Sequence, residues 1–118
     1  MTAHQPNHRD PAAAAARDIA EVPAVEVIST AALHLMTAAA VKVGLGEDES
    51  VAGHTDLDEA RKLITALAGL VSASAPDLGA LHAAPLRDGL QALQRAFREA
   101  SPVPDAPGDG PGERPPRA

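Results

Sequence analysis

The side chains in this sequence that could do chemistry are few, and their spacing argues against a catalytic centre. The chain has five histidines, His4, His8, His34, His54 and His82. His4 and His8 are four residues apart, as two ligands on one helical face would be, but Pro6 lies between them and no third ligand is near. His34 interrupts an apolar segment, where a hydrogen-bonded or partly exposed histidine accounts for it as well as a ligand does. His54 and His82 fall where loops are expected. Glu47, Asp48 and Glu49, followed by Asp56, Asp58 and Glu59, invite a divalent cation. A calcium loop needs oxygen ligands at alternating positions, a central glycine and a closing glutamate, and that pattern is absent. A solvated acidic loop followed by charges that complement a helix start accounts for all six residues.

Nucleophiles are equally scarce. The chain has no cysteine, which excludes disulfides, thiolate metal sites and cysteine nucleophiles. Ser72 and Ser74 lie near a helix end, without the strand-turn-helix setting of a hydrolase serine. Gly44, Leu45 and Gly46 follow a helix instead of a strand and lack the third glycine of a phosphate loop. Glu26 is the one acid within the first long helix, so no pair of buried carboxylates is available. The expectation is a protein that is not an enzyme, with no catalytic residue, no metal site and no cofactor.

Composition narrows the classes further. With 118 residues there is room for one domain. Net charge is −6, with no Trp, no Tyr and a single Phe. A nucleic-acid binder needs a basic stripe and stacking aromatics, so no direct nucleic-acid partner is expected. The first residues lack the basic-then-apolar profile of a signal peptide. The longest apolar stretch, 24–43, is interrupted by Glu26, Ser29, Thr30, His34, Thr37 and Lys42, which a spanning helix would have to bury in hydrocarbon. A cytoplasmic protein with no membrane contact is expected. Arginine outnumbers lysine eight to two, and with abundant alanine this suits a high-GC bacterial genome.

The elements that must position these residues are helices. Strands favour β-branched and aromatic residues in alternation, and no stretch keeps that period for long. The expected fold class is all-α: a small three-helix antiparallel bundle with disordered N- and C-terminal tails. Residues 1–22 read as a flexible alanine-rich tail that could hold a short helix after Asp10 and Pro11. The helical domain spans 23–101. Residues 102–118, dominated by proline and glycine, are expected to be disordered.

Within the domain, the first long helix should start at or just after Pro23 and end at Gly44, which suits a left-handed position. Thr55 should cap the second helix, with Leu57, Ala60, Leu63, Ile64, Leu67, Leu70 and Val71 as its apolar stripe. That helix should end near Ser74, because Pro76 disfavours helix at Ala75. The third is clear from Pro85, with Leu86, Leu90, Leu93 and Phe97 on one face. Its start, between Asp77 and His82, reads equally as a separate turn or a kinked continuation.

The first long helix is apolar nearly all round. Val25, Ile28, Ala32, Leu35, Met36, Ala39 and Val43 form one stripe, and Val27, Ala31, Leu33, Ala38 and Val41 cover much of the rest. A helix of this kind must be buried on several sides. The expectation is therefore a homo-oligomer, a dimer in the simplest case, with the Val25 to Val43 stripe as the self-association face.

Three segments carry a resemblance. The run 21–36 (EVPAVEVISTAALHLM), the run 55–67 (TDLDEARKLITAL) and the run 85–98 (PLRDGLQALQRAFR) together resemble the helices of a small bacterial family, domain of unknown function 1844, in its actinobacterial branch. Members outside that branch carry a KTKGNL type of segment after the second helix. Here 72–79 (SASAPDLG) stands in its place, so no role of that basic turn carries over. The resemblance implies a compact helical cytoplasmic protein with no established activity, encoded beside translation genes. Two functional readings follow. The first is a non-catalytic, self-associating protein-interaction module whose further partner is unspecified. The alternative is an accessory factor associated with translation or the ribosome, using Arg87, Arg95 and Arg98 of the third helix.

Overall fold

Alanine, leucine and valine in three-and-four spacing form helices here, and almost nothing else. The computed structural model describes residues 11–45 and 53–114. It has four helices: α1 (Pro11–Ala20), α2 (Ala24–Val43), α3 (Leu57–Leu78) and α4 (Ala80–Ala100). Among the described residues there is no strand. The helices α2, α3 and α4 pack on one another in all three combinations, forming the expected bundle. The short helix after Pro11 is α1, where proline occupies the first helical position and its missing N–H costs nothing. Residues 1–10 and 46–52 are outside the described residues, so nothing further bears on His4, His8, Asp10 or the acidic run Glu47 to Glu49.

The core is aliphatic, as one phenylalanine dictates. Ile64 and Leu67 of α3 are fully buried, ringed by Ala32, Ala39 and Val43 of α2, Ala60 and Val71 of α3, and Leu86, Leu93 and Phe97 of α4. Small residues let the helix axes come close. At Gly89 of α4, an added Cβ would sit 2.7 Å from the sulfur and methyl of Met36 on α2. The flexible end of a methionine fills the space that glycine leaves.

Helix ends follow the local chemistry. Gly44 closes α2 in the left-handed conformation (φ 88°), and the amides of Gly44 and Leu45 donate to the carbonyls of Val41 and Ala40. This is the glycine-dependent closure expected of that position. A third carbonyl of the last turn, that of Lys42, accepts from Asp56 N–H at 2.8 Å, which ties the start of α3 to the end of α2.

Two boundaries differ from the sequence reading. The cap of α3 is Asp56 and not Thr55: the Asp56 carboxylate accepts from the Glu59 N–H at 3.1 Å, while the Thr55 hydroxyl packs against Gly44. Aspartate and threonine both cap, and the tie from Asp56 to Lys42 settles which does. Glu59, in the first turn, pairs with Lys62 at 2.7 Å; that hydrogen bond, then the carboxylate charge, holds the Lys62 ammonium above its usual value.

The second difference is that α3 passes through Pro76 to Leu78 instead of stopping near Ser74. Buried Ser74, Ala75 and Leu78 hold this last turn on the core. The Ser74 hydroxyl donates to the Leu70 carbonyl at 2.6 Å. Proline leaves only the carbonyl of exposed Ser72 without its helical partner, where water reaches it. The break falls instead at Gly79 (φ 81°, ψ 161°), a single residue between α3 and α4. From Ala80, α4 runs on through Pro85, so the 77–82 stretch is divided between the two helices. The Arg61 guanidinium, early in α3, lies 5.0 Å from the ring centre of Phe97, late in α4, so the two run antiparallel.

The C-terminal segment departs from expectation as well. Composition predicts disorder over 102–118, yet 101–114 is laid along α3 and α4 as an irregular strap, with 115–118 outside the described residues. Its contacts are specific. Asp105 meets Arg61 at 2.9 Å, Glu113 meets Arg98 at 2.9 Å, and the Pro111 carbonyl accepts from Gln94 at 3.0 Å. Hydrophobicity counts miss such a segment, because its attachment is polar. Each of the two partly exposed ion pairs contributes about 0.2–1 kcal/mol, beside the hydrogen bonds and the buried Gly110 and Pro111.

Two measurements check this architecture. Replacing Asp56 with Ala should lower unfolding stability in urea by about 1 kcal/mol, whereas Thr55→Ala should change it far less; the reverse ranking would show that Thr55 is the cap. Leu67→Ala should cost about 2–5 kcal/mol and Leu81→Ala, at a side chain 84% exposed, close to nothing in thermal unfolding.

Candidate functional site

The face of α2 turned away from α3 and α4 is the least ordinary surface of the molecule. Of its twenty residues only Ala32, Ala39 and Val43 are buried. Leu33 is 57% exposed and Val27 42%, in a helix that is long and apolar enough to cross a membrane by length and composition. Two open hollows run along this face. One, of about 550 Å³, is lined by Ile19 and Val22 before α2 and by Glu26, Val27, Thr30, Ala31 and His34 on it. The next, of about 410 Å³, is lined by Thr30, Leu33, His34, Thr37, Ala38 and Val41. Thr30 and His34 belong to both, so the two hollows are one continuous track.

The stripe expected to mediate self-association lies elsewhere. Ala32, Ala39 and Val43 are in the core of the chain, and Val25, Ile28, Leu35 and Met36 are partly buried against it. The seven are taken up by α3 and α4 of the same chain, and the expectation for them is corrected on that ground. The physical reason is the two-sided apolarity of α2. Periodicity identifies two candidate faces, and either could serve the chain's own core. Ala32, Ala39 and Val43 are buried inward with Val25, Ile28, Leu35 and Met36 packed against the same core, leaving Val27, Ala31 and Leu33 exposed and Ala38 and Val41 half-buried on the outer side. The signal for the outer face was present in the sequence, as the second apolar set.

Other candidate chemistry is dispersed. His34 is exposed on the outer track, His54 is exposed before α3, and His82 is exposed on the first turn of α4. Among the described residues, no three His, Asp or Glu side chains converge as metal ligands would. Ser74 is bonded to its own helix, and Ser72 is exposed on α3, beside an open hollow lined by Thr65, Ala68, Gly69 and Ala73. Of the α4 arginines, Arg87 and Arg95 are exposed, while Arg98 is turned onto the strap.

Sequence reasoning missed one constellation altogether. Arg61 of α3 gives two hydrogen bonds to the Asp105 carboxylate, at 2.9 and 3.1 Å. Arg98 of α4 gives two to Glu113, at 2.9 and 3.0 Å, and a third to the Asp105 carbonyl. Glu113 in turn accepts from the amides of Gly108 and Gly110, which folds the strap around its own carboxylate. Gly110 and Pro111 are buried, and a Cβ on Gly112 would collide with that of Ala68. The available signal was the regular placement of Asp105, Asp109 and Glu113, four residues apart in a proline and glycine background. Without knowing that Arg61 and Arg98 share a face, that signal has no partner.

No curated protein and no solved structure matches the chain. A family model does, over residues 24–99, from the first residue of α2 almost to the end of α4. Those residues hold the bundle, the outer track of α2 from Glu26 onward and the arginines that grip the strap, and they place the chain in the family described as domain of unknown function (DUF1844).

Proposed function

We propose that this protein is a non-catalytic, cytoplasmic helical module that associates with a second copy through the outward face of α2. The observation that carries the reading is a periodic one. Val27, Ala31, His34, Ala38 and Val41 are separated by four, three, four and three residues, the spacing of a two-helix seam. The pattern reads nearly the same in both directions about His34. An antiparallel pair would therefore set Val27 against Val41 and Ala31 against Ala38, with the two His34 side chains meeting at the centre.

The chemistry of the face suits burial. Alanine at two of five seam positions permits close approach of the backbones. The Thr37 hydroxyl already donates to the Leu33 carbonyl at 3.0 Å, so covering it strands no donor. Leu33, Ile19 and Val22 would add apolar area at the margins. A bilayer is the poorer occupant of this face. The helices packed against the other side of α2 expose Asp58, Lys62, Arg87, Asp88, Arg95 and Glu99, and a spanning α2 would carry these charges into hydrocarbon.

Light scattering at micromolar concentration tests the proposal. The expected mass is twice the 12.0 kDa of one chain. The substitution Ala38→Glu, which sets a carboxylate in the seam opposite Ala31, should weaken the dimer at least about tenfold, or ~1.4 kcal/mol, with helix content unchanged. A wild-type mass of one chain across that range would overturn the reading.

A further inference from the structure

We propose that the face formed by Arg61 of α3 and Gln94, Phe97 and Arg98 of α4 is a docking site for an extended, acidic, proline- and glycine-containing segment of a partner protein. The strap 101–114 is then its occupant in cis. This is independent of the α2 seam, which lies on another helix.

The way the strap is held is a recognition code and not a generic contact. Two guanidinium groups each take one carboxylate, Asp105 on Arg61 and Glu113 on Arg98. Two further donors ignore side chains and read main-chain carbonyls: Gln94 to Pro111 and Arg98 to Asp105. Stacking over Phe97 restricts where the Arg61 guanidinium can turn. Beyond the acids, the slot demands small residues, because Gly112 lies where any side chain would strike Ala68. A segment with an upstream acid followed by Pro-Gly-Glu satisfies every one of these requirements, whatever protein carries it.

Three observations argue that the occupant exchanges. The four cradle residues lie within the family span 24–99, whereas the strap lies outside it. Only Gly110 and Pro111 of the strap are buried, and both ion pairs are open to water and to salt. The track also continues past the strap: an open hollow of about 410 Å³, lined by Thr65, Ala68, Gly69, Ser72 and Ala73, follows Gly112 and Arg114 along α3. A segment passing Gly112 in the same direction would run along that hollow.

The test uses the full chain and a synthetic peptide of residues 101–118 carrying a fluorophore, read by anisotropy at low ionic strength. Asp105→Asn with Glu113→Gln removes the carboxylates that hold the strap and frees the cradle. The freed chain should bind the peptide at least about tenfold more tightly than wild type, whose competent fraction is reduced by its own tail. Adding Arg98→Ala should abolish that binding, and a peptide with Gln in place of Glu113 should not bind. Equal binding by wild-type and freed chains, or binding indifferent to Arg98, would overturn the proposal. Amide hydrogen exchange gives an independent reading. Gly108 and Gly110 N–H groups should be protected in the wild type and lose protection in Glu113→Gln; unprotected amides in the wild type would show that the cradle is not occupied in cis.

Discussion

The molecule rests on how α2 seats on the α3–α4 pair. A chain with one phenylalanine cannot fill wide gaps between helices, so its helices must approach closely and interlock small residues. Ala32 and Ala39 are fully buried on the inner face of α2, and Gly89 on α4 accepts the end of Met36. Ile64 and Leu67 supply the large volumes from the α3 side. Close approach in an aliphatic core depends on fit, because each methylene removed or added is felt. It also makes the bundle thin. Among the described residues, α2 has one side covered by α3 and α4 and the other largely uncovered, and it is apolar on both.

That geometry explains which parts of the fold could be read from the sequence. The helices and the glycine closing α2 followed from periodicity and backbone chemistry, since each signal is local. Errors arose wherever a tertiary contact outweighed a local rule. Pro76 disfavours a helix at Ala75 in isolation, yet Ala75 and Leu78 are buried and hold the turn in place. Thr55 is a sound cap in isolation, yet the bond from Asp56 to the Lys42 carbonyl brings the aspartate to the helix end. The two faces of α2 differ in nothing that periodicity measures. Choosing between them requires the volumes offered by α3 and α4.

The strap shows a different limit. Low hydrophobicity predicts disorder because such a segment cannot bury enough apolar surface to offset the entropy of ordering. Polar contacts offset part of that cost here, but only because the helices have already brought Arg61, Gln94 and Arg98 onto one face. Three residues spread over 38 positions of sequence form a single cradle once α3 and α4 fold back at Gly79. Ordering of the strap is thus conditional on the bundle, and no local pattern encodes it.

The two surfaces obey different physics, and that separates their roles. Four of the five positions of the proposed α2 seam are Val or Ala, with His34 as the fifth, so added salt should leave its association intact or strengthen it. The cradle is held by guanidinium–carboxylate pairs in contact with water, so salt weakens it. In the proposed scheme one surface favours persistence and the other exchange. Arg61 and Arg98 belong to α3 and α4 and not to α2, so the proposed exchange at the cradle would leave the proposed α2 pairing in place. On the two proposals above, the α2 pairing persists while the occupant of the cradle changes.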